Sequence, residues 1–381
     1  MNELAVTVVG AGQAGLSAAY HLRRAGLAPW ADYQVLDHAP APGGAWQFRW
    51  PTLTYGRVHG MFPLPGSELP DADPLRPSAE VVGEYFARYE REHGLPVRRP
   101  VAVHAVREAG GGLLRVESDA GAWLTRTLVN ATGTWRRPFW PRVTGQESFA
   151  GRQLHTADYS GPEEFRGRRV VVVGGGTSAV QHLLELDGVA ARTLWVTRRV
   201  PRFRAEPFDR EQGRAAVAMV AERVERGLPP QSVVSVTGLP MSEAMRDARR
   251  RGVLDRRPMF ERMAPEGVRW ADGELFEADV VLWATGFRPA IDHLAPLRLR
   301  ETGGGIRMDG TAAVRDRRIQ LVGYGPSAST IGANRAGRAA AREVRRLLAG
   351  ETRPAAEPEP LPERTGDHSP EQLKVPQTAA S

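Results

Sequence analysis

The 381-residue chain is 41% hydrophobic and 25% charged, an ordinary globular balance with room for two or three packed domains. It has no cysteine, which excludes a dithiol relay, a thiol nucleophile, a Cys-ligated zinc and any disulfide. The formal charge of +7 comes from arginines dispersed along the chain, with Lys374 the single lysine, and that dispersion is not the clustered footprint of a nucleic-acid binder.

No run reaches the ~18–20 apolar residues of a membrane helix, and the apolar N-terminus lacks the basic flank of a signal peptide. Leu4 to Val9 reads as a short buried strand, followed by a Gly-rich turn, a helix from about Ala14 to Ala25 and a strand from Tyr33 to Leu36. The turn Gly10-Ala11-Gly12-Gln13-Ala14-Gly15 fits G-x-G-x-x-G at the mouth of a helix, where backbone N–H groups and the helix dipole favour a diphosphate. Asp37 closes the second strand, where a carboxylate accepts from ribose hydroxyls. One dinucleotide site is therefore expected here. The motif does not decide between FAD and NAD.

Residues 40–77 are rich in Gly, Pro and aromatics, and the aromatics require burial, so a folded loop region is expected. A helix is predicted from Ser78, as N-cap, to His93, stopped by Gly94. Short alternating strands follow at Val101–Val106, Leu113–Glu117 and Ala122–Leu128, a small antiparallel insertion ending in a strand over Thr127–Asn130.

The strand–turn–helix pattern then restarts. Arg169–Val173, the turn Gly174-Gly175-Gly176-Thr177-Ser178-Ala179, a helix over Ser178–Leu186 and a strand over Thr193–Thr197 form a second βαβ unit, with Ala179 in the packing role of the third glycine. Its second strand ends in Thr197-Arg198-Arg199. Guanidiniums bind a 2′-phosphate that a carboxylate would repel, so NADPH is expected over NADH, and a cytoplasmic setting with it. Residues 210–250 read as mostly helical, Val280–Trp283 and Ile319–Val322 as strands, Ile331–Leu348 as a helix, and 350–381 as a disordered tail. No histidine set has metal-ligand spacing, so no metal site is expected.

Phe149, Gly151, His155 and Tyr159 fit F-x-G-x-x-x-H-x-x-x-[YF], the identifying motif of flavin-containing monooxygenases, and the chain resembles that family over about residues 4–348. Ala131-Thr132-Gly133 and Ala284-Thr285-Gly286 resemble the family's two A-T-G crossovers, and Gly323-Tyr324 its closing flavin segment. The resemblance implies FAD in the first site, with Gly44, Trp46 and Val103 among its neighbours, and NADPH in the second, beside His155 and Tyr159. It implies that NADPH reduces FAD, that O2 forms a C4a-(hydro)peroxyflavin, and that one oxygen atom passes to a small organic substrate. Trp50, Thr54 and His59 are the candidates to face flavin or substrate.

The expected architecture is α/β. It has two Rossmann-like dinucleotide-binding domains, each three-layered around a mostly parallel sheet: residues 1–160 with 283–349 for FAD, and an inserted 161–282 for NADPH. The motif at 158–160 lacks the Trp-Pro ending of Baeyer–Villiger enzymes, and no Asn-containing stretch of the amine- and sulfur-oxidising members is found. A reductase or oxidase passing electrons to a quinone, protein or O2 would use the same two sites. Substrate and oligomeric state are left open.

Overall fold

The computed structural model describes residues 3–58, 61–204, 210–230 and 238–350. The tail after Gly350 and His59 lie outside the described residues.

The first sheet is built on β1 (Glu3–Val9), which pairs in parallel with β2 (Tyr33–Leu36) on one side and β6 (Gly121–Asn130) on the other. Both faces of β1 and β2 are covered, which is why their apolar residues do not alternate with exposed polar ones; even Thr7 and Gln34 are buried. Helix α1 (Gln13–Arg24) crosses between them. It packs on the C-terminal helix α6 (Thr330–Leu348), and a Cβ on Gly337 would lie 2.6 Å from Ser17 Oγ, so only glycine permits the approach.

Helix α2 (Ser78–Glu92) starts one residue earlier than an N-cap at Ser78 allows: Pro77 is the cap, Ser78 is already helical, and its buried hydroxyl has no partner. Edge strand β3 (Val97–Arg98) then extends the sheet beyond β2. The insertion is β4 (Val103–Glu108) and β5 (Leu114–Ser118), antiparallel to each other, with β5 also antiparallel to the first half of β6. The two strands expected over 122–130 are one strand of 10 residues, whose second half turns inward to the parallel sheet.

The second sheet is wholly parallel, in the order β12–β9–β8–β16–β7. Strand β8 (Arg169–Val173) lies at its centre and buries four valines, each contributing roughly 1.5–3 kcal/mol by area. Around it are α3 (Thr177–Leu186), β9 (Arg192–Thr197), β12 (Arg256–Pro258), β16 (Val280–Trp283) and β7 (Arg152–His155). The expected domain limits cut this sheet: β7 lies before residue 161 and Trp283 is the last residue of β16, yet both pair here. Periodicity cannot assign a four-residue strand to one sheet or the other.

Between β9 and β12 lie the pair β10 (Phe203–Arg204) and β11 (Leu239–Pro240), α4 (Arg210–Glu225) and α5 (Glu243–Arg250). A three-stranded antiparallel sheet, β13 (Arg262–Ala264), β14 (Gly267–Arg269) and β15 (Leu275–Glu277), covers the opposite face. Strands β17 (Met308–Asp309), β18 (Ala312–Ala313) and β19 (Ile319–Leu321) complete the first sheet beside β6.

Candidate active site

The first glycine turn opens into a cavity of about 700 Å³ at the C-terminal ends of β1, β2 and β6. Gly10 is held at φ +101° with its virtual Cβ 2.6 Å from Ala131 O, and a Cβ on Gly15 would meet Gly10 O at 1.8 Å. The first is therefore obligatory for the turn and the second for helix–strand packing. A Cβ on Gly44 would lie 2.8 Å from Gly12 Cα, so the 43–48 loop folds directly onto the turn.

The N-terminus of α1 has Gly12 as its cap residue and no side-chain cap, and α3 likewise starts from an uncapped Gly176. By contrast, Ser242 Oγ accepts from Met245 N and Ser329 Oγ from Gly332 N, capping α5 and α6. The two helices that follow glycine turns thus keep their first N–H groups free for an anion, the condition a diphosphate requires.

Asp37 is buried, lines the cavity, and is held from behind by Arg99 at 3.3 Å, which also clamps Glu90. Gln13, Ala14, Trp46, Val103, Thr132, Gly133 and Gly323 line the same cavity. Thr132 donates to Ala290 O at 2.7 Å and accepts from Asn130, whose carbonyl oxygen meets the buried His293 ring at 2.7 Å. Burial pushes His293 down to about 4, so it is neutral at the cavity wall.

In the second unit, Gly174 sits at φ +145° with its virtual Cβ 2.2 Å from Ala284 O, and the space above Gly176 is open. Thr177, Ser178 and buried Ala179 form the first turn of α3. Thr197 is buried with its hydroxyl unpartnered, while Arg198 and Arg199 are exposed and make no ion pair among the described residues.

His155 ends β7 beside the second crossover. Its Nδ1 accepts from Ala157 N–H at 3.1 Å, so Nε2 carries the proton and donates to Gly286 O at 3.0 Å. Burial lowers its pKa, which keeps the ring neutral. Thr285 Oγ1 donates to Phe139 O, tying the second crossover to the segment after the first.

Four expected site residues point elsewhere. Trp50 is buried in the second sheet's core, and its Nε1 donates to Glu185 at 3.1 Å on α3. Thr54 precedes the short turn at Tyr55–Arg57 and pairs with Pro77, away from the cavity lining. Tyr324 packs in the core with its hydroxyl accepting from Ile306 N–H at 3.2 Å. Tyr159 also faces the core. It donates to Glu185 at 2.9 Å and lies 4.1 Å from the His182 ring. Thr52 completes three donors on one Glu185 carboxylate, which fastens the 50–52 loop to α3.

The cavity wall contains residues not anticipated from sequence: Arg49, Phe48, Trp135 and Phe287. Trp135 stacks on Phe287 at 4.8 Å, and Phe287 meets His155 edge-on at 4.9 Å. The aromatic excess of 40–62 was the available signal. Their common destination depends on pairing with residues ~90 and ~240 positions downstream, which spacing does not show.

Residues 7–212 match the pyridine nucleotide-disulphide oxidoreductase family. A flavin-containing monooxygenase from Stenotrophomonas maltophilia is 38% identical, with a TM-score of 0.77 over 91% of this chain and 100% of that one. Indole-3-pyruvate monooxygenase YUCCA1 from Oryza sativa subsp. japonica is 27% identical over 346 residues, 81% of either chain. OTEMO, solved in complex with FAD and NADP, shares the fold at 17% identity, with a TM-score of 0.63 over 91% of this chain and 86% of that one.

Proposed function

The chain belongs to the flavin-containing monooxygenase family, and from that membership we propose that it consumes NADPH through FAD and transfers one atom of O2 to a small organic substrate. The observation that carries this reading is the pair of uncapped helix N-termini, one opening on the 131–133 crossover and the other on 284–286, where His155 is bonded to Gly286. A single-cofactor enzyme has no need of two such cradles.

In this reading Gly10, Gly12 and the free N–H groups of Gln13 and Ala14 hold the FAD diphosphate, and Asp37 accepts from the adenosine ribose. Gly44, Trp46, Val103, Ala131, Thr132, Gly133 and Gly323 flank the rest of the FAD. Gly174, Gly176, Thr177 and Ser178 hold the second diphosphate, and Arg198 and Arg199 take a 2′-phosphate with charge-assisted bonds. Reduced FAD supplies the electrons that activate O2. His155 is a positioning residue: as a neutral donor it fixes Gly286 and the 284–286 crossover at the mouth between the units. Burial of the ring lowers its pKa. With no cysteine in the chain, a thiol relay of the disulphide-reductase kind has no carrier.

The test is oxygen accounting. Purified enzyme given NADPH, 18O2 and a panel of thioethers, amines, ketones and aryl keto acids is expected to yield a product with one labelled atom per NADPH consumed. NADPH oxidation that returns all O2 as hydrogen peroxide, whatever the panel, would make the protein an oxidase.

A further inference from the structure

Arg49 lies in the cavity wall with its guanidinium carbon 4.4 Å from the Trp135 ring centre and 5.6 Å from that of Trp46. Its Nε is sealed from solvent and makes no hydrogen bond, and no carboxylate pairs with it among the described residues. Burial pulls its pKa down to about 10, still far above neutrality, so the charge persists. Among the described residues two carboxylates line the cavity, and both are taken. Asp37 is held by Arg99, and Asp292 by Arg137, with Arg300 at 3.7 Å. Arg49 as a whole is half-buried, but a cation with its Nε sealed, its face against an indole and no counter-ion is costly, since aromatic faces supply only part of what water would. The cavity is therefore built for an occupant that brings negative charge to Arg49.

The cofactors have other donors for theirs. In the reading above, which this argument rests on, the FAD diphosphate meets the open N-terminus of α1, and the phosphates of NADPH meet α3 and Arg198–Arg199. Oxidised flavin has an uncharged ring. What remains is the substrate. We propose that Arg49 is the specificity-determining residue of the cavity and that it recognises the carboxylate of an organic acid whose apolar body packs on Trp135 and Phe287. A guanidinium sandwiched against an indole presents its N–H edge in one plane, which suits a carboxylate better than a neutral carbonyl.

The probes are indole-3-acetate and indole-3-acetamide, matched in shape and differing in charge, titrated into the FAD-loaded enzyme by flavin difference absorbance without NADPH. Wild type is expected to bind the acid at least tenfold more tightly than the amide. Arg49→Met is expected to erase that preference, and Arg49→Lys to restore part of it. The flavin content and flavin midpoint potential of both variants should match wild type. Equal affinity for acid and amide, no binding of the acid at millimolar concentration, or retained preference in Arg49→Met would each overturn the proposal. A potential that falls in Arg49→Met while the preference survives would assign the charge to reduced flavin instead. Loss of flavin from wild type itself would defeat the FAD reading rather than this one.

Discussion

The two glycine turns can be superposed by their hydrogen bonds alone. Gly10 N–H donates to Leu36 O at 2.7 Å and Gly174 N–H to Val196 O at 2.9 Å; Ala131 N–H donates to Val9 O and Ala284 N–H to Val173 O, both at 2.8 Å. This register makes Asp37 the counterpart of Thr197, and Ala131 that of Ala284. The backbone chemistry is the same in both units, and the residue after the second strand differs in charge and hydrogen-bonding character. One unit offers a buried acceptor secured by Arg99, the other a small hydroxyl followed by two exposed guanidiniums. In the function proposed above, the turn would hold a diphosphate in either case, and the strand end would decide which dinucleotide accompanies it.

The sharpest way to break this equivalence is at the turns themselves. Gly10→Val places a side chain against Ala131 O at a positive φ, and Gly174→Val does the same against Ala284 O. Gly10→Val is expected to lose FAD altogether. Gly174→Val is expected to purify yellow yet show no NADPH-driven bleaching of the flavin. Absorbance at the flavin band before and after anaerobic NADPH reads both. Flavin loss from Gly174→Val with a native thermal midpoint would reverse the two assignments.

Next in size is the charge difference. Charge-assisted bonds contribute about 1.5–3 kcal/mol each, so Arg198→Ala with Arg199→Ala should raise the NADPH Kd roughly 10²–10⁴-fold while leaving NADH within about threefold. The measurement is anaerobic reduction rate against concentration of each dinucleotide. Equal losses for both would show that these arginines do not read the 2′-phosphate.

A smaller effect acts on both halves alike, through acid. His293 in the first unit and His182 in the second are pushed by burial to about 4 and about 3. Both folded values lie below the ordinary 6.5, so the unfolded chain binds the proton first as pH falls. Stability is therefore full above about pH 6.5 and declines below it, continuing until each folded value is reached. At pH 5 the loss is about 2 kcal/mol per histidine. His182→Asn should lower the thermal midpoint at pH 7 but flatten its fall between pH 7 and 5. An unchanged slope would mean that His182 does not titrate in that window.

Much of this comparison was legible in the sequence because it is local. Each strand, turn and helix spans some thirty residues, and the glycine spacing has one steric meaning. The strands β7 and β12, four and three residues long, were not legible as members of the second sheet because they acquire meaning only from partners far along the chain. The same holds inside the site. Trp50 and Arg49 are adjacent in sequence, yet Trp50 enters the second core to reach Glu185 while Arg49 faces the cavity. Composition identified the segment as aromatic and buried, but one step of backbone rotation decided which neighbour joined which wall. Ser78 is no cap for a related reason: the helix already includes it, with Pro77 in the cap position and the Ser78 N–H bonded to the distant Leu53 O.

The smallest predicted effect lies at the pair of equivalent residues. Thr197 Oγ1 is buried with no partner, an arrangement that costs the free protein roughly 1–3 kcal/mol. Valine has nearly the same shape without the hydroxyl. If the group waits for a dinucleotide, Thr197→Val should keep or raise the thermal midpoint of cofactor-free protein and weaken NADPH binding about fivefold, near 1 kcal/mol. NADH should weaken equally, because this residue occupies the position of Asp37, next to the ribose rather than its phosphate. An NADPH-selective loss would place Thr197 with the arginines, and the equivalence drawn from the hydrogen-bond register would then hold for the backbone but not for what the side chains read.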